Sequence, residues 1–192
     1  MREELDEYVG LIEQHLGKEL GEGRGPAKSF RLTFDPITSA YHCLLWYLVV
    51  FLVDQATHYV LLWHGFEYHA RSVKVSQRTF PPRPQELFAR RRSPVPDLSY
   101  WYRPHRSRSA FPVIFFHGIG IGLWTYVQFI LHLRRSSSSD GVGILIPELL
   151  PVSFRLTEPP EGKDEFLRRI TKLLDHLAWD EFTLASHSYG SV

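Results

Sequence analysis

The stretch that most constrains this chain is Phe182 to Val192, which reads FTLASHSYGSV. An apolar segment of strand character runs into a small-Xaa-Ser-Xaa-Gly turn, the sequence form of a nucleophile elbow, in which a serine sits on a sharp bend between a strand and a helix. Such a bend drives its central residue toward φ > 0 and brings neighbouring backbones so close that large side chains two positions to either side do not fit. Ser186 and Gly190 meet that demand around Ser188, with serine at 186 where glycine is the commoner choice. Ser188 is therefore the candidate nucleophile.

A second stretch, Pro112 to Gly122 (PVIFFHGIGIG), is a buried-strand run of β-branched and aromatic residues ending in His-Gly and a glycine-rich turn. Glycines after a strand also serve dinucleotide binding. Here, however, the spacing is GxGxG rather than GxGxxG, and the acidic residue expected about twenty positions on, at a second strand's end, is not in place. Tight strand-to-helix packing alone would explain either glycine pattern singly, but not their joint spacing. Between the two patterns lie a helix with Leu123, Val127, Ile130, Leu131 and Leu133, a buried strand at Val142 to Leu149, and a helix from Lys163 to Trp179. That is the spacing of consecutive βα units in a parallel sheet.

On the HG loop, the SHSYG turn and their βαβαβ separation, residues Ser99 to Val192 resemble the α/β-hydrolase superfamily, and the wording of the HG segment is similar to its fungal-type, membrane-associated members. The resemblance implies a partial α/β-hydrolase parallel sheet behind an N-terminal helical, membrane-associated extension. It implies a serine hydrolase that cleaves an ester or other acyl substrate, lipid-like in class, through an acyl-enzyme on Ser188. The backbone N–H groups of Tyr189 and Ile119 would form the oxyanion hole. His117, Gly118 and Gly120 would support the loop, and Ser186 and Gly190 the elbow; His117 is structural rather than the base. Neither cofactor nor metal is expected.

In this superfamily the acid and the histidine of the triad follow the serine, and only Ser191 and Val192 follow Ser188. His187 is adjacent, but neighbouring side chains at an elbow point apart. The chain is accordingly read as the first part of a hydrolase, truncated after the elbow and inactive as it stands. The competing reading is a non-catalytic membrane-associated or scaffold protein that keeps part of the fold.

Upstream, Leu5, Tyr8, Val9, Ile12, Leu16 and Leu20 fall on one face of an amphipathic helix, and Gly21 to Lys28 reads as a flexible linker. Phe30, Leu32 and Phe34 alternate as in a short strand. Asp35-Pro36 makes a good helix start, and the uncharged residues 36 to 53 that follow would rise about 27 Å, close to a bilayer's hydrocarbon thickness. An apolar helix over about 36–64 is expected, either crossing a membrane or buried in a core. Residues 71–98, rich in proline and arginine, read as a linker, with Arg90, Arg91 and Arg92 available to anionic headgroups. The division is thus 1–70, 71–98 and 99–192, with a short strand near Leu98 to Arg103.

A formal net charge of +1 gives no footprint for nucleic acid. One cysteine, Cys43, excludes an internal disulfide or cysteine metal cluster and suits an intracellular location. The acidic start MREELDEYVG fits neither a cleaved secretory signal nor a transit peptide.

Overall fold

The computed structural model describes residues 2–19, 21, 41–136 and 141–191. The chain divides into two compact units, Met1–Tyr41 and His42–Val192. In the first, α1 (Arg2–Leu16) bears out the amphipathic N-terminal helix, and Tyr8, Leu11 and Leu16 on it are exposed. The linker beyond Gly21 and the strand at Phe30 to Phe34 lie outside the described residues.

The second unit opens with α2 (Leu44–Trp63), shorter than the expected helix over about 36–64. Tyr41, His42 and Cys43 are not helical, and Cys43 caps the helix with extended backbone (φ −67°, ψ 159°). The proposed start at Asp35-Pro36 lies outside the described residues. At the far end Gly65, at φ +79°, donates its N–H to Leu62 O and stops the helix. By length and composition α2 could cross a membrane, yet it packs on one side through Tyr47, Val50, Thr57 and Leu61.

A six-stranded sheet follows: β1 (Glu67–Ala70), β2 (Arg91–Arg92), β3 (Tyr100–Arg103), β4 (Val113–Phe116), β5 (Ile144–Pro147) and β6 (Thr183–Ser186), in the order β2-β1-β3-β5-β4-β6. The sheet is mixed rather than parallel, which corrects the expectation. β3 runs antiparallel to both β1 and β5, while β4 is parallel to β5 and to β6. The reason is local, because the few residues between β3 and β4 carry no crossover helix and the chain must turn back on itself. The strands expected at Leu98 to Arg103, Pro112 onward, Val142 to Leu149 and before Ser188 all form.

Side chains alternate across this sheet as a pleat requires. Trp101, Phe115, Ile144 and Ile146 pack with Leu61 of α2 and with Leu123 and Ile130, the latter on α5 (Val127–Ser136). Tyr100, Ile114, Phe116 and Leu145 face Ile170 and Leu173 of α6 (Lys163–Leu177). Helices therefore cover both faces. The helix expected after the glycine loop begins as a 3-10 turn, Trp124–Tyr126, before α5.

Residues 71–98 are not a solvated linker. They carry α3 (Val73–Ser76), α4 (Pro84–Leu87) and β2, and bury Arg71, Arg83 and Glu86. Of the arginine run, Arg92 donates to the carbonyls of Arg71, Glu86 and Leu87, and Arg91 pairs with Glu67.

Candidate active site

β4, β5 and β6 point the same way, so the segments that follow them gather at one end of the sheet, the end where open α/β sheets place their ligands. Ser188 follows β6 and His117 follows β4. The two strands are paired in register from Val113↔Thr183 to Phe116↔Ser186, and this places the elbow beside the glycine loop.

Ser188 adopts φ +55°, left-handed backbone that a residue other than glycine occupies only under strain, and it opens the 3-10 turn Ser188–Ser191. Its side chain is exposed. Position 190 leaves no room for a side chain. A Cβ there would stand 2.5 Å from Phe116 O and 2.8 Å from His117 O, so only glycine fits. At Gly118 a Cβ would stand 2.7 Å from Ser188 Cβ and 2.8 Å from His187 O. The glycine loop and the elbow thus touch backbone to backbone. Gly120 differs, because a Cβ there would meet nothing nearer than Thr125 Oγ1 at 3.6 Å; its amide instead donates to Val152 O. Ser186 ends β6 opposite Phe116, where a small residue with a Cβ is accommodated.

His117 is buried and has both ring nitrogens occupied. Nε2 accepts the Leu149 N–H at 2.9 Å, which leaves Nδ1 to donate to Gly118 O, also at 2.9 Å. Burial pushes its pKa down, so the ring is a neutral brace between the glycine loop and the segment after β5. It has no spare nitrogen with which to act as a base.

Tyr126, unrecognised in the sequence, ties the two loops together. Its hydroxyl accepts the Gly118 N–H at 3.1 Å and lies 2.9 Å from His187 Nδ1. His187 therefore turns to Tyr126, as expected of a neighbour at an elbow. Among the described residues no hydrogen bond engages the backbone N–H of Ile119 or of Tyr189, and none engages the Ser188 hydroxyl. What the arrangement offers is an exposed hydroxyl on a strained turn, with uncommitted amides on the turn and on the facing loop. No general base accompanies it among the described residues.

Behind the loop lies a buried ionic cluster. Glu148, directly after β5, accepts two hydrogen bonds at 2.8 Å from the Arg83 guanidinium, one from Ser99 Oγ at 2.7 Å and one from Tyr68 at 3.0 Å. Arg83 also pairs with Glu86 at 2.6 Å and with Asp54 of α2 at 3.1 Å. Glu86 is further held by Arg71 at 2.9 Å, and Asp54 by Arg155 at 2.9 Å. Burial opposes the charge on Glu148 and Glu86, but the arginines outweigh it and hold both carboxyls below the usual range. Two signals could have revealed this cluster. One is a lone aspartate inside an apolar helix and the other a lone glutamate closing an apolar strand; each demands a buried cation.

Among the described residues no group of side chains is arranged to hold a metal ion. No protein-family model matches this sequence. No curated protein matches it either.

Proposed function

We propose that this chain carries the nucleophile-bearing part of a serine hydrolase of the α/β-hydrolase fold, intracellular and acting on an ester or other acyl substrate of lipid-like class. The observation that carries the reading is Ser188 at φ +55° at the end of β6, packed against Gly118, with the amides of Ile119 and Tyr189 uncommitted on either side. In such a reaction the hydroxyl oxygen attacks the acyl carbon, the carbonyl oxygen takes up the negative charge, and the alcohol leaves as the carbonyl reforms on Ser188. Each amide aimed at that oxygen contributes about 3 kcal/mol to the transition state. The proton lost by Ser188 needs a base that residues 41–136 and 141–191 do not present to it, so the 192-residue chain is expected to turn over acyl esters little above background.

The second reading is a non-catalytic membrane-associated or scaffold protein that retains part of the fold. A fluorophosphonate probe separates the two. Labelling of the longest product of the coding sequence, abolished in Ser188→Ala, supports the hydrolase. An unlabelled, folded product supports the scaffold.

A further inference from the structure

α2 buries one side, at Tyr47, Val50, Thr57 and Leu61, and leaves the other exposed. Its one charged residue, Asp54, bonds Arg83 at 3.1 Å and Arg155 at 2.9 Å, partners that are themselves buried. Crossing a bilayer would strip that carboxylate of its cations or drag the ionic cluster into hydrocarbon, and either is costly. With that side fixed, the helix turns the opposite side outward. Leu44, Leu45, Leu48, Leu52, Tyr59 and Trp63 are exposed, Leu44 at 78% and Trp63 at 89%, and no charge interrupts them over a helix about 30 Å long.

We infer that this face attaches the protein to an anionic lipid surface, with α2 lying in the membrane plane rather than through it. Two features favour lipid over a protein partner. The first is charge. Tyr59 and Leu62 line one cavity of about 530 Å³ with Phe88, Arg90 and Arg91. Phe88 is 83% exposed, and Arg90 makes no ion pair among the described residues. The only acidic residue lining the cavity, Glu67, is already paired with Arg91. A free cation and an exposed ring beside an uncharged face match acidic headgroups over acyl chains. The second ground is what the face lacks. A specific protein interface carries about ten hydrogen bonds, whereas the exposed run Leu44, Leu45, Leu48, Val49 and Leu52 is aliphatic throughout. Trp63, exposed at one end of the helix, is a residue type that sits at headgroup level.

The test is flotation of the full 192-residue chain with vesicles of phosphatidylcholine alone or with about 30% phosphatidylserine. Binding is expected to fall at least about tenfold in Leu48→Ser/Leu52→Ser, and roughly fivefold in Arg90→Glu on the anionic vesicles only. Circular dichroism checks folding, and Leu44→Ser/Leu45→Ser serves as the second pair should the first unfold. Undiminished binding by a folded pair variant overturns the inference, as does a chain that ignores vesicles but forms a dimer lost in the same variant. Orientation is read with a membrane-impermeant maleimide on bound protein. Cys43 at one end and Trp63→Cys at the other, the latter in a Cys43→Ser background, are both expected to react from outside. Protection of one end until detergent is added would mean a span. Ser188→Ala is expected to bind like the parent, so failure of the hydrolase reading and failure of this one are separable.

Discussion

Replacing Arg83 by leucine removes the cation at the centre of the buried cluster, and the remaining pairings decide which carboxylate suffers. Asp54 keeps Arg155 and Glu86 keeps Arg71, but Glu148 is left with only the hydroxyls of Ser99 and Tyr68. Arg83 is 1% exposed at its side chain, so water does not take its place. One uncompensated buried carboxylate costs about 3–5 kcal/mol, a large share of the 5–15 kcal/mol that stabilises a typical domain. For a unit of this size that corresponds to a fall in Tm of roughly 10–15 °C. Urea unfolding followed by near-ultraviolet dichroism measures it. The double variant Arg83→Leu/Glu148→Leu should recover most of the loss, because removing both partners spares the orphaned charge, and the cycle should give a coupling of about 2 kcal/mol or more. The penalty should also shrink on acidification. Without Arg83 the Glu148 carboxyl moves above its ordinary range, and a group raised in the folded state stabilises at pH below its unfolded value and loses that contribution as pH rises. A single-variant cost under about 1 kcal/mol, or a penalty that grows toward low pH, would refute this account of the cluster.

Gly190→Ala should dismantle the elbow, since the new methyl would lie 2.5 Å from Phe116 O; loss of phosphonate labelling together with a lowered Tm is expected, and normal labelling would contradict it. Tyr126→Phe removes the acceptor of the Gly118 N–H, a cost of about 1–3 kcal/mol, and should speed hydrogen exchange at Gly118 without disturbing the sheet amides. In the parent protein, stability should decline as pH falls, first below about 6.5 and again below about 4.5. His117 and the pair Glu86 and Glu148 all have folded pKa values below those ordinary ones, so the native state binds fewer protons than the unfolded chain. A flat profile between pH 7 and pH 4 would show that these groups are not held as described.

The strands that frame the site were legible because each is short, apolar and bounded by a turn: VIFF before His-Gly, ILIP before Glu148, TLAS before His187. The elbow was legible because its glycine answers a steric demand that a sequence can state. The direction of β3 was not, since YWYR has the same pattern in either orientation and only the short return to β4 decides it. The start of α2 is not legible, because Asp35-Pro36 is a good local helix signal, whereas the observed cap at Cys43 bears no side-chain hydrogen bond to announce it. The role of Arg83 is hidden in the sequence because the prolines around it look like loop, and the carboxylates that pair with it from α2 and just past β5 lie 29 and 65 residues away. Tyr126 is hidden for a similar reason: its partner His187 is 61 residues distant.

In the proposed hydrolase the glycine loop and the elbow aim two amides at whatever Ser188 attacks. A crystal structure of the phosphonylated protein tests this most directly. The phosphoryl oxygen should lie about 3 Å from the backbone nitrogens of both Ile119 and Tyr189. An adduct on another side chain, or one on Ser188 whose oxygen points to solvent away from both amides, would contradict it.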